Sequence, residues 1–374
     1  MKILIATDSF KGSLTSIQAG EAIAKGIAQS GIDAQIDLCP LADGGEGTVD
    51  AFAVATNATR HVACVTGPLG TQTDATYCTF DDIAVVEMAR CAGLDLVGQN
   101  KNPLVATTFG VGEVILHAIK KGCKKFVIGI GGSATNDGGI GMLQALGFGF
   151  FDKQNNPVPF GANALKHLDK ISLSHNPAID DCTFEVACDV TNPLCGQNGC
   201  SFVYAPQKGA TPQMTKDMDL WMNNYAHLVE QTTGKNFANL PGAGAAGGLG
   251  FAFVSFLNAK LTPGIDLVAK ATDLQQRIDN AHLVITGEGK FDSQTLCGKA
   301  PLGVAQLAKK QGKKVIAFCG INTLDENKTK QNGFDKVFAT CNGTPTAKDM
   351  QTDVAFDKLA KLSQFVFENI DFNF

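Results

Sequence analysis

Five short stretches of the chain hold glycine in turn-like settings, and four of them add Asp, Glu, Lys, Ser or Thr. The longest reads FVIGIGGSATNDGGIG, residues 126–141. A greasy run leads into it and an amphipathic pattern, GIGMLQALG, leads out. Strand, glycine turn and helix in that order present backbone N–H groups and a helix N-terminus to an anion. The stretch also satisfies G-x-G-x-x-A through Gly129, Gly131 and Ala134, with an acid, Asp152, about twenty residues on. A dinucleotide turn is therefore open beside a phosphate cradle, and so is a turn with no ligand. Asn136 and Asp137 in the first helical turn favour a wide, ligand-shaped loop. No Gly-Lys-Ser/Thr follows, so it is not a Walker A loop.

The other four stretches are shorter. PLADGGEGT (40–48) offers Asp43 and Glu46 to a magnesium ion or to hydroxyls. VITGEGKFDSQT (284–295) reads as a strand entering a glycine turn with Glu288, Lys290 and Asp292. One or two carboxylates with substrate phosphates are a common magnesium site, and a lysine supplies a point charge for phosphate. TDSFKGSLT (7–15) sets Asp8 and Lys11 at a strand end, and GAGAAGGLG (242–250) is a second anion-loop candidate. Solvated turns and close-packed helix starts remain the plain alternatives. None of the six histidines falls in these stretches, which disfavours His-based acid–base chemistry. Several phosphate cradles with carboxylates fit phosphoryl transfer, which needs positioning and charge neutralisation more than a nucleophile.

The elements that must position these loops follow from pattern. KILIAT (2–7) is a buried strand; Thr15 with Gln18 makes a capping box for a helix to about Ser30, and AQIDLC (34–39) returns as a strand. HLVIT (282–286), KVIAFCG (314–320) and KVFAT (336–340) are further strands, with Pro301 in the first turn of the helix between the first two. A final helix over 354–370 places Phe356, Leu359, Leu362, Phe365 and Phe367 mostly on one stripe. In the middle, strands at 82–89, 125–130 and 183–189 alternate with helices at 111–122 and 213–232. Helix-separated apolar strands predict α/β architecture with a parallel sheet covered on both faces. The expected division is a Rossmann-like domain from residues 1–65 and 265–374, with a second α/β domain, 66–264, inserted into it.

Composition narrows the classes. The chain has 374 residues, 44% hydrophobic and 18% charged, as in packed globular proteins. The net charge of −5 and the lack of a long basic run argue against nucleic acid as a partner. Among the 12 cysteines no Cys-x-x-Cys pair occurs, so no zinc site is expected, and several sit in apolar runs as small hydrophobes. No leader pattern and no 18-residue uncharged apolar run is read, which leads to the expectation of a cytoplasmic protein with reduced thiols. The sequence leaves the oligomeric state open.

Taken in order, ATDSFKGSLTS, PLADGGEGT, GIGGSATNDGGIGMLQALG, CDVTNPLCG, APQKGATP, AAGGLG and TGEGKFDSQT resemble the type-1 glycerate kinases of bacteria, over residues 1 to about 320. The resemblance implies ATP- and Mg²⁺-dependent phosphorylation of D-glycerate, usually at the 2-hydroxyl. It also implies two α/β domains with the active site in the cleft between them. On that basis Gly131, Gly132, Ser133, Asn136, Asp137, Gly247 and Gly248 are expected at the ATP phosphates. Asp189, Glu288 and Asp292 are expected at the metal. Asp189, Asp292 and Lys290 are expected to do the chemistry, and Asp8, Lys11, Asp43 and Glu46 to hold glycerate. Cys200 and the Tyr204-Ala205 pair depart from the pattern. Two other readings stay open: a nicotinamide-dependent dehydrogenase of small hydroxy acids, and a two-domain protein that binds a sugar acid without turnover.

Overall fold

The computed structural model describes residues 1–42, 44–45, 47–297 and 299–369. The strands are, in chain order, β1 (Lys2–Thr7), β2 (Gln35–Leu38), β3 (Thr59–Thr66), β4 (Gln72–Phe80), β5 (Ile83–Glu87), β6 (Lys125–Gly129), β7 (Gly149–Phe151), β8 (Lys170–Ser172), β9 (Thr183–Ala187), β10 (Lys260–Thr262), β11 (Leu283–Phe291), β12 (Lys314–Asn322) and β13 (Lys336–Ala339). The chain divides into two compact units, one from residues 1–43, 50–57 and 265–374, the other from 44–49 and 58–264.

In the first unit every strand pair is parallel, in the order β13-β12-β11-β1-β2. Ile3, Leu4, Ile5 and Ala6 are all buried, the continuous apolar run of a strand covered on both faces. The helix Ser16–Gln29 starts on the expected capping box: Thr15 accepts from the Gln18 N–H, and the Gln18 side chain accepts from the Thr15 N–H. This helix packs on the terminal helix Thr352–Asn369, where the Ser363 hydroxyl donates to the Ile23 carbonyl at 2.9 Å. In the terminal helix Leu359 and Phe367 enter the core, but Phe365 is 61% exposed and lies off the expected stripe. The chain leaves β1 toward β2 on one side, while β11 pairs on the other. The strand order therefore switches between β1 and β11, and ligands of open α/β sheets bind beyond the carboxyl ends at such a point.

Residues 287–291 are not the turn expected after a short strand. β11 continues through them, with Glu288 opposite Cys319 and Phe291 opposite Asn322. Glycine permits this, since a Cβ on Gly287 would lie 2.3 Å from the Phe318 carbonyl oxygen.

The second unit has a mixed sheet, β10-β9-β6-β5-β4-β3. β10, β9, β6 and β5 run parallel, while β4 and β3 form an antiparallel hairpin at the edge. Because β3 pairs along its length with β4, residues 59–66 go with this unit, and the chain passes over at 57/58, ahead of the expected 65/66. Phe126, Ile128, Phe184, Val186 and Phe253 centre its core. Asp152 follows β7 in a separate two-stranded antiparallel sheet, β7-β8. It accepts from the Gln154 and Asn156 N–H groups in an exposed turn. A dinucleotide fold needs that acid at the end of the next parallel strand, so the geometry of such a site is missing.

Candidate active site

Beyond the carboxyl ends of β1, β11, β12 and β13 the first unit holds a cavity of about 280 Å³. Asp8 and Lys11 reach it from β1, Glu288 and Lys290 from β11, and Lys299 from the start of the helix Ala300–Lys310. Ile321, Cys341, Met350 and Leu359 line it from β12, the segment after β13 and the terminal helix. Asp8 is buried at 5% exposure and its carboxylate accepts from the Ser9 N–H at 2.7 Å; Lys11 is exposed.

The charges are paired. Glu288, 5% exposed, accepts from the Thr295 hydroxyl and lies 3.3 Å from Lys299 Nζ. Burial pushes the Glu288 carboxyl above its ordinary range, against the pull of Thr295 and Lys299. Lys290 Nζ lies 3.0 Å from Asp292. Burial opposes ionisation of Asp292, but the bonds from Lys290 and the Gln294 N–H outweigh it and hold that carboxyl low. Four expected residues, Asp8, Lys11, Glu288 and Lys290, thus meet in one cavity, and Asp292 reaches it through Lys290. Asp43 and Glu46 lie outside the described residues.

The glycine stretches of the second unit fare differently. A Cβ on Gly131 would lie 2.7 Å from the Gly45 Cα, and the Gly131 N–H donates to the Gly44 carbonyl at 3.2 Å. Gly247, at φ +67°, sits where a Cβ would be 2.1 Å from the Thr135 carbonyl oxygen, and its own carbonyl accepts from the Gly138 N–H. A Cβ on Gly248 would be 2.8 Å from the Gly138 Cα. The two expected cradles therefore interlock with each other, and the backbone that approaches them is the protein's own.

Asn136 and Asp137, expected to face a ligand, have no exposure. The Asp137 carboxylate accepts from the N–H and hydroxyl of Thr108 and from the N–H groups of Gly139 and Gly141. Burial pushes it up and those bonds pull it down, with burial dominant. Asn136 donates to the Ser201 hydroxyl at 2.9 Å. Both residues brace the loop from inside. Gly132 stays exposed at the bend, and Ser133 is buried. Asp189, exposed beyond β9, accepts from the Gly264 N–H at 2.9 Å.

A family model described as the glycerate kinase family matches residues 3–370. The chain belongs to the glycerate kinase family. Among curated members it is 44% identical over 368 residues to a protein named glycerate 2-kinase from Escherichia coli K12, covering 97% of this chain and 96% of that one. It is 44% identical over 353 residues to a glycerate kinase of Bacillus subtilis 168, covering 93% and 92%. A crystal structure described as a candidate glycerate kinase 2 from Salmonella typhimurium LT2 superposes with a TM-score of 0.88 at 42% identity, over 98% of this chain and 97% of that one. Family membership sets the dehydrogenase reading aside, in agreement with the position of Asp152.

Three residues of this family member carry charge that sequence reasoning passed over. Lys208 is 2% exposed and donates to the Ser133 hydroxyl at 2.6 Å and the Thr135 carbonyl at 2.7 Å. Burial brings its ammonium down to about 8. Its setting, APQKGATP, reads as a solvated turn, and nothing in the pattern announces a buried amine. Lys299 precedes a helix as an ordinary surface lysine would, yet it pairs with Glu288. Glu87, 1% exposed, accepts from the Gly47 N–H at 3.0 Å. Its signal was available: an acid that ends the apolar run IAVVE.

Proposed function

We propose that this protein transfers the γ-phosphoryl group of ATP to the 2-hydroxyl of D-glycerate. Membership of the glycerate kinase family makes it a kinase that phosphorylates glycerate with ATP. The choice of the 2-hydroxyl rests on the relative named glycerate 2-kinase. The observation that carries the site is the cavity at the strand-order switch, where Lys11, Lys290 and Lys299 stand beside Asp8 and Glu288. In the transfer the hydroxyl oxygen attacks the γ-phosphorus, the bond to the β–γ bridging oxygen breaks, ADP departs and the hydroxyl proton is released. Charge spreads over the equatorial oxygens, and catalysis is mostly positioning and neutralisation. Lys290 is the candidate for that neutralisation, with Asp292 fixing its ammonium. Asp189, exposed on the second unit, is the carboxylate proposed to orient the hydroxyl.

Among the described residues no three His, Cys, Asp or Glu side chains gather into a group able to hold a metal ion. Mg²⁺ nevertheless suits the cavity, because it is usually bound by one or two carboxylates together with phosphates. Glu288 and Asp292 would hold it, and when bound it would neutralise phosphate charge. Among the described residues no helix is long and apolar enough to cross a membrane, and no described cysteine forms a disulfide.

The test is ³¹P NMR of the product formed from ATP, Mg²⁺ and D-glycerate. 2-Phosphoglycerate is expected. 3-Phosphoglycerate would overturn the regiochemistry, and no phosphoglycerate at all would overturn the activity.

A further inference from the structure

We propose that the cavity of the first unit is the nucleotide site, taking a nucleoside triphosphate with its phosphates toward β1 and β11 and its base toward β12 and β13. The proposal rests on the kinase reading above. It reassigns Asp8 and Lys11, which the sequence linked to glycerate.

The first argument is size. Glycerate has seven non-hydrogen atoms and fills roughly 100 Å³, about three to four times the ~30 Å³ share of one water. The cavity is about 280 Å³, nearer the range of roughly 300 Å³ and upward that holds drug-sized ligands. The second is the composition of the wall. Every carbon of glycerate bears oxygen, so glycerate has no use for Phe10, Ile321, Met350, Ala355 and Leu359, which all line the space. A base and ribose do have such a use, since pockets for compounds of this size are mostly apolar with a few placed polar groups.

The third argument is the order of the strands. Lys11 and Lys290 come from neighbouring β1 and β11, and Lys299 is drawn to β11 by Glu288. Ile321 comes from β12 and Cys341 from the segment after β13, while the Met350 methyl lies against Gly12 in the loop after β1. The lysines therefore gather toward β1 and β11, with Ile321 and Cys341 toward β12 and β13, and Phe10 and Met350 add apolar wall next to Lys11. Lysines gathered on part of a largely apolar wall suit a molecule with polyanionic phosphates and a neutral base. Asp349, an acid on the same wall, is already tied to Lys358 and to the N–H and hydroxyl of Thr346. Its charge is therefore compensated within its own segment.

Cys341, half-buried on the cavity wall, supplies a reporter. The full-length protein is treated with a maleimide, alone, with the non-hydrolysable ATP analogue AMP-PNP and Mg²⁺, or with D-glycerate, and modification is read cysteine by cysteine by peptide mass spectrometry. The expected result is at least tenfold slower modification of Cys341 with the nucleotide and none with glycerate, while exposed Cys64 on the second unit is unchanged. A second measurement fills the cavity with Ile321→Trp, which is expected to raise KM for ATP at least tenfold and leave KM for glycerate within about twofold. Protection by glycerate alone, or a KM change confined to glycerate, overturns the proposal. So does unprotected Cys341 in a protein that turns over ATP. Nucleotide protection in a protein that forms no phosphoglycerate would leave this site standing and remove the kinase reading.

Discussion

At the end of β11, Gly287 lets two strands pair closely and leaves Glu288 and Lys290 on the wall of a cavity. In residues 129–141 the glycines admit the protein's own backbone, from Gly44, Gly45 and Gly247, and leave Asn136 and Asp137 without exposure. The two stretches share a composition, but one is the end of a parallel strand and the other follows one. What separates them is where the polar side chains end up. Glu288 and Lys290 themselves line an opening, whereas Asp137 spends all its acceptors on Thr108, Gly139 and Gly141. Glycine density marks a close approach of backbone, but it does not say whether the visitor is a ligand or another loop.

The comparison can be broken most severely at Gly247. Gly247→Ala places a methyl 2.1 Å from the Thr135 oxygen at a φ of +67°. Left-handed strain of about 1–2 kcal/mol and overpacking of about 1–3 kcal/mol should together cost about 3 kcal/mol or more of stability, measured by urea unfolding. Gly289→Ala meets its nearest neighbour, the Phe10 Cα, at 3.2 Å, without a left-handed φ. Its loss should be well below that of Gly247→Ala, and equal losses would mean that the two glycines face equally tight packing. Next come Asp292→Asn and Asp189→Asn, each expected to stay folded by circular dichroism while kcat falls by about 10²-fold, the size of one lost electrostatic contact at a reacting centre. Near-normal turnover in either variant removes that residue from the reaction.

Lys208→Met sharpens the interior side of the contrast. It strips a donor from the buried Thr135 carbonyl and the Ser133 hydroxyl, at a cost of about 1–3 kcal/mol. The pH dependence has a definite sign. With its ammonium brought down to about 8, Lys208 holds its proton in both states below that pH, and the burial penalty is constant. Between about pH 8 and 10 the unfolded chain binds more protons, so stability rises with pH. Wild type should therefore gain melting temperature relative to Lys208→Met from pH 8 to 10, and a flat or falling difference would contradict a buried ammonium. The smallest effect belongs to Asp152→Ala. It removes an exposed turn acceptor, and turnover with ATP and glycerate should match wild type. A clear rise in KM for ATP would return Asp152 to the site.

Much of the scaffold was legible because local rules settled it. The Thr15–Gln18 capping box, Pro301 in a first helical turn and the apolar runs of β1, β6 and β12 each depend on neighbours a few residues away. The family resemblance was likewise carried by contiguous motifs. The β3–β4 hairpin was not legible, since an edge strand such as TRHVACVT mixes polar and apolar residues and gains its identity from pairing. The extension of β11 into GEGKF was hidden for the same reason: glycines that look like a turn become strand once β12 lies alongside.

The sequence by itself determined which residues are of a type to handle phosphate and carboxylate, and it set the parallel α/β order of the first unit, because residue chemistry and period-2 or period-3.6 patterning are local properties. Only the tertiary structure decided which of those residues face open space. It set Asp8, Lys11, Glu288 and Lys290 around one cavity and sealed Asn136 and Asp137 inside. It also brought Lys208 across 75 residues to Ser133. Burial is a property of what packs from elsewhere in the chain, and a buried amine carries the same letter as a solvated one.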